Sequence, residues 1–147
     1  MFRRFAAAAV LACGLAGCTL GIAPGNDSPS ADYKIAVDYQ SAYNVARAQA
    51  EQCLTGKDAY RVVGDLDTVG RKGRVRVLAP FTDHNIALVE IAAIDANHSD
   101  VHIAMWGEGI WNANAITAMR DAIEFQIPAC TSYMPSDSEK PGKKSPR

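Results

Sequence analysis

The chain has 147 residues, 15 of them basic and 16 acidic, for a net charge of −1 at neutral pH. That length holds one small domain, and the charge balance excludes the basic footprint of a nucleic-acid binder. Apolar residues make up 48%, as in ordinary globular proteins with a single core.

Residues 1–17 have the three parts of a secretory signal peptide. Arg3 and Arg4 are the basic end, Phe5 to Leu15 the apolar run, and Ala16-Gly17 the small residues before a cut. The run is about 11 residues, whereas a spanning helix needs ~20. Leu15-Ala16-Gly17-Cys18 resembles the lipobox of bacterial lipoproteins. The resemblance implies cleavage before Cys18, a diacylglyceryl cysteine there, and an acylated new amino terminus (palmitate is the usual acyl group). One acyl chain holds a protein only marginally, and several hold it stably. Thr19, where an aspartate would retain such a protein in the inner membrane, implies the outer membrane with the domain facing the periplasm. A plain secretory signal with a chance cysteine, or lipidation at Cys13, are the alternatives. Loss of Arg3 and Arg4 leaves 13 basic against 16 acidic residues, a charge near −3.

Residues 18–34 read as a lipidated flexible linker, because Pro24-Gly25-Asn26-Asp27-Ser28-Pro29-Ser30 has no apolar periodicity. A domain is expected over 35–131. Its first element, about Ala36 to Leu54, places Tyr39, Tyr43, Ala46, Ala50 and Cys53 on one helical face. Gly56 suits the turn that ends it. Four strand-like segments follow: Ala59–Leu66, Arg74–Ala79, Asn85–Ile94 and Asp100–Trp106. Short polar joins between them predict an antiparallel meander. A second helix is expected over Asn112–Ile127, with Asn112 as N-cap, Ile116, Met119, Ile123 and Ile127 as its stripe, and Pro128 as its stop. From Ser132 onward the chain is rich in Pro, Ser and Lys and reads as a disordered tail over 132–147.

The expected fold is therefore α+β, in the order α-β-β-β-β-α. Two layers form, a four-stranded antiparallel meander with both helices on one face. Cys13 leaves with the signal and Cys18 carries lipid, so Cys53 and Cys130 remain as a pair. In the oxidising compartment that the signal implies, such a pair points to a disulfide bond. Two buried free thiols, or a metal site, are the other readings.

The stretch Asp38-Tyr39-Gln40-Ser41-Ala42-Tyr43, Cys53, the run Trp106-Gly107-Glu108-Gly109-Ile110-Trp111 and the closing Pro128-Ala129-Cys130 resemble a group of small proteobacterial lipoproteins of uncharacterised activity. The resemblance spans about Tyr33 to Cys130 plus the signal. It implies an α-β4-α domain and brings no catalytic residues.

The residues point to no enzyme and no cofactor. His98 and His102 are four apart, but on a strand that separates them by ~13 Å, too far to share an ion. Gly107-Glu108-Gly109 lacks the third glycine of a dinucleotide loop, Asn112 standing in its place. No Gly-x-Ser-x-Gly elbow occurs. The expected functional surface is the sheet face turned away from the helices. Alternation places Arg61, Val63, Arg74, Arg76, Leu78, His102 and Trp106 there, with Glu90 expected to pair with Arg76. An ordinary solvated sheet face fits the same residues. The function expected is that of a lipid-anchored envelope protein with a non-enzymatic interaction or structural role. Its partners would be the membrane and another envelope protein. The alternative is a binding protein for a small ligand or cell-wall fragment, using a cleft near Trp106 to Trp111.

Overall fold

The computed structural model describes residues 20–23 and 28–131. The expected signal peptide (1–17), the expected lipidation site Cys18 and the expected tail (132–147) lie outside the described residues. Seven elements follow in order: β1 (Ser30–Ile35), α1 (Tyr39–Cys53), β2 (Arg61–Asp67), β3 (Lys72–Leu78), β4 (Asn85–Ala93), β5 (Ser99–Met105) and α2 (Ala113–Phe125).

The sheet has five strands in the order β1-β5-β4-β3-β2, every neighbour antiparallel. This corrects the four-stranded α-β-β-β-β-α expectation. The extra strand is β1, in the stretch read as the end of a linker. Ala31, Tyr33 and Ile35 turn toward the helices, while Ser30, Asp32 and Lys34 turn away. Such half-polar alternation is normal for a short edge strand. The meander itself, β2 to β5, forms as expected. Helix α1 carries the chain from β1 at one edge to β2 at the other, and the meander then returns to β1.

Both helices cover one face of the sheet. The inward residues Val75, Val77, Val89, Ile91, Val101, Ile103 and Met105 are all buried in one cluster with the helix stripes. Helix α1 presents Ala42, Ala46 and Ala50, each with no exposed surface, so its backbone sits close to the strands. Tyr43, one of two tyrosines buried on that face, rests where the sheet is bare. A Cβ on Gly73 would lie 2.9 Å from Tyr43 Cδ2, and one on Gly64 would collide with its hydroxyl. These two glycines make the seat for the ring.

Local chemistry fixes the helix ends. Asp38 caps α1, its Oδ1 accepting the N–H groups of Gln40 and Ser41, both at 3.0 Å. The Ser41 side chain and backbone hold the Asp38 carboxyl below its ordinary value. Asn112 caps α2 as expected, accepting from Asn114 and Ala115. The second helix stops earlier than its stripe, at Phe125, and Gln126 takes a left-handed conformation (φ 57°) that throws Ile127 into solvent. Cys53 and Cys130 form a disulfide bond, which stands as the bond expected between them. Cys130 lies in the segment after α2. Buried Gln49 reinforces that join, holding the backbone N–H and C=O of Ala129 with its side-chain amide.

Candidate functional site

The face of the sheet away from the helices carries its charges in cross-strand rows. In one row Asp32, His102, Glu90, Arg74 and Asp65 stand side by side, one from each strand. Acids alternate with the basic side chains. His102 Nδ1 is 2.7 Å from Asp32 Oδ1. Arg74 reaches Glu90 Oε1 with Nε at 3.0 Å and an Nη at 2.8 Å. Asp65 is approached diagonally by Arg76 at 3.5 Å. Pairs this exposed contribute roughly 0.2–1 kcal/mol each, so the row defines pattern more than stability.

The next row is Lys34, Asp100, Ala92, Lys72 and Asp67. Ala92 is small, and the floor drops between the long side chains of its neighbours. The two rows together line an open groove of about 810 Å³ across all five strands. Lys34, Lys72 and Asp100 have no ion-pair partner among the described residues. Asp67 uses Oδ1 to accept the N–H groups of Val69 and Gly70 in the β2–β3 turn.

The groove lies toward one end of the strands, near the β2–β3 and β4–β5 turns. Arg71 ties those turns together there. Its guanidinium donates to Asp95 O at 2.9 Å, and its own carbonyl accepts from Ala93 N–H at 3.0 Å. In the β4–β5 turn the Asn97 N–H, and then the His98 ring, hold the Asp95 carboxyl below its ordinary value.

The residues expected on this face are dispersed. Arg74 and His102 line the groove. Arg76 is beside it, and Glu90 pairs with Arg74 rather than with Arg76, because Arg74 is its direct partner in the register. Arg61 is at the far end of β2, paired with Asp83 at 2.8 Å. Leu78 is buried, since the strand register shifts between Val77 and Leu78 and breaks the alternation. Trp106 lies past the end of β5 and packs against the core. Its carbonyl accepts from Ser28 Oγ at 3.0 Å. Trp111 is also buried and meets Tyr60 edge to face at 5.0 Å. These two tryptophans shape a packed strand-to-helix corner.

The groove is therefore more acidic than the sequence reading implied. Asp32, Lys34, Asp65, Asp67, Lys72 and Asp100 were not singled out for this surface. For Asp32 and Lys34 the missing signal was β1 itself. For the others it was the register, which one strand's alternation does not give. Among the described residues no cluster of three or more His, Cys, Asp or Glu side chains is placed to hold a metal ion. No described helix is long and apolar enough to cross a membrane. Comparison with protein-family models and with curated proteins finds no match to this chain.

Proposed function

We propose that this is a lipid-anchored protein of the bacterial envelope, akin to the small proteobacterial lipoproteins that its sequence resembles. It is held through Cys18 in the outer membrane, faces the periplasm, and works by contact rather than catalysis. The groove on the open face of its sheet takes a polar, extended segment of another envelope protein. The observation that carries this reading is the row from Asp32 to Asp65, in which acids alternate with His102 and Arg74, beside Lys34, Lys72 and Asp100, which have no ion-pair partner among the described residues. A surface with both signs at fixed cross-strand spacing favours a partner segment with both signs in complementary order, and repels one with a single sign.

The alternative, a small ligand or cell-wall fragment, draws support from size, since about 810 Å³ falls within the usual range of small-molecule sites, and from a lining surface that is apolar in its larger part. Such sites hold only a few polar groups, whereas charged side chains from all five strands line this groove.

The test is photo-crosslinking in cells from a photoreactive residue at position 72 or 100, analysed by mass spectrometry. A discrete protein adduct that disappears with Arg74→Glu is expected. Adducts to glycan or small molecules alone would transfer the groove to the alternative. An adduct indifferent to Arg74→Glu would remove the charge row from the argument.

A further inference from the structure

The described chain next to Cys18 is docked onto the domain. Ile22 N–H donates to Asn85 O at 2.7 Å. Gly21 is buried with φ 99°, and a Cβ there would lie 2.9 Å from Asn85 O and 3.0 Å from His84 Cβ. Only a glycine passes this point without strain. Ser28 Oγ accepts from Ala23 N–H at 3.2 Å, and Met105 N–H donates to Pro29 O at 2.9 Å. Contacts on both sides of 24–27 therefore fix this chain to the end of the sheet where β4 begins and β5 finishes.

A single residue, Thr19, separates Cys18 from Leu20. Two peptide units span at most about 7 Å. An acyl group on Cys18 would therefore start within that reach of the docked chain, with no long spacer between lipid and domain. The β3–β4 loop is at this same end, with His84 against Gly21. Its tip is Phe81, which is wholly exposed and left-handed (φ 60°). That conformation is rare and costly for a bulky residue. The loop is closed beneath it by Ala79 N–H to His84 O at 3.0 Å and Thr82 N–H to Ala79 O at 3.3 Å. Leu20 adds a second exposed apolar side chain. A ring held rigidly into water beside a lipid attachment point matches the chemistry of an interfacial membrane anchor.

From this geometry, and resting on the reading of Cys18 as the anchor, we infer that Phe81 and Leu20 seat the domain directly on the lipid bilayer. The domain then sits on the membrane by its β3–β4 loop, with the groove toward the opposite end.

The test uses the full lipidated protein in vesicles of phosphatidylethanolamine and phosphatidylglycerol. A nitroxide is placed through Phe81→Cys or, as a control at the groove end, through Val69→Cys. Both positions are fully or nearly fully exposed, so neither label disturbs the core. Flotation and the mass of the Cys18 peptide are read first. Collision rates with oxygen and with a water-soluble nickel complex follow. The expected result is at least threefold preference for oxygen at position 81 and preference for nickel at position 69. A floating, acylated protein whose position 81 meets nickel as freely as position 69 overturns the seating and leaves the anchor standing. A protein that neither floats nor carries lipid overturns the anchor, and the seating with it.

Discussion

Gln49 and the disulfide bond hold neighbouring residues of the segment after α2, Ala129 and Cys130, so their contributions to stability should be coupled. The disulfide closes a separation of 77 residues, for which chain entropy assigns about 4.5 kcal/mol on reduction. Gln49 donates from Nε2 to Ala129 O at 3.0 Å and accepts Ala129 N–H at 2.8 Å. Gln49→Met keeps the length of the side chain and removes both bonds. At about 1 kcal/mol net for each, the cost is about 2 kcal/mol while the disulfide keeps Ala129 in place. In the reduced protein the tail is free to leave and hydrate, so the same substitution should cost under about 1 kcal/mol. Urea unfolding with and without reductant, followed by fluorescence of Trp106 and Trp111, measures all four corners of this cycle. Equal cost of Gln49→Met in both redox states would refute the shared tie, and a reduction penalty below about 2 kcal/mol would refute the loop-closure account.

Two further outcomes are expected. Gly73→Val drives a side chain into Tyr43, since even its Cβ would be 2.9 Å from the ring; unfolding free energy should fall by about 2–3 kcal/mol. Adding Tyr43→Leu should recover part of that loss in the same urea assay, and strict additivity would sink the seat described for the ring. Asp38→Ala should cost about 1 kcal/mol at pH 7 by uncapping α1. Because folding lowers the Asp38 carboxyl from its ordinary 3.8, its stabilisation is complete above that value and vanishes as pH falls through the lower folded one. The difference in stability between Asp38→Ala and the parent protein should therefore shrink across the acid limb, and a gap unchanged down to pH 2 would contradict the assigned cap.

The meander strands and both helices were legible because each rests on a local signal, and the Cys53–Cys130 pair because it was the one left by counting cysteines. Tyr39, Tyr43, Ala46, Ala50 and Cys53 recur at helical spacing and are all buried. Asn112 announces its helix. What escaped was nonlocal. The alternation of Ala31, Tyr33 and Ile35 is real but short, and it follows a Pro- and Gly-rich run that masks it. Arg74 and Glu90 become partners only through the β3–β4 register, and Asp32 joins their row only because the meander ends with β5 beside β1. The burial of Leu78 depends on a register shift of one residue that no periodicity announces. Gln49 falls at helical spacing with the buried Ala42, Ala46 and Cys53, yet its polar partner, Ala129, is 80 positions away and no local pattern names it.

The placement of β1 also has a mechanical consequence. The chain enters the sheet through this strand, which is paired with β5 over six residues from Ser30 to Ile35. Interstrand hydrogen bonds run perpendicular to the strands. Tension applied at the amino-terminal side and resisted at the groove therefore acts along the strand axis, and strains the whole ladder together instead of peeling it bond by bond. Were the chain tethered at that end, as proposed, the edge strand would be the part that lets a partner pull without drawing the domain open.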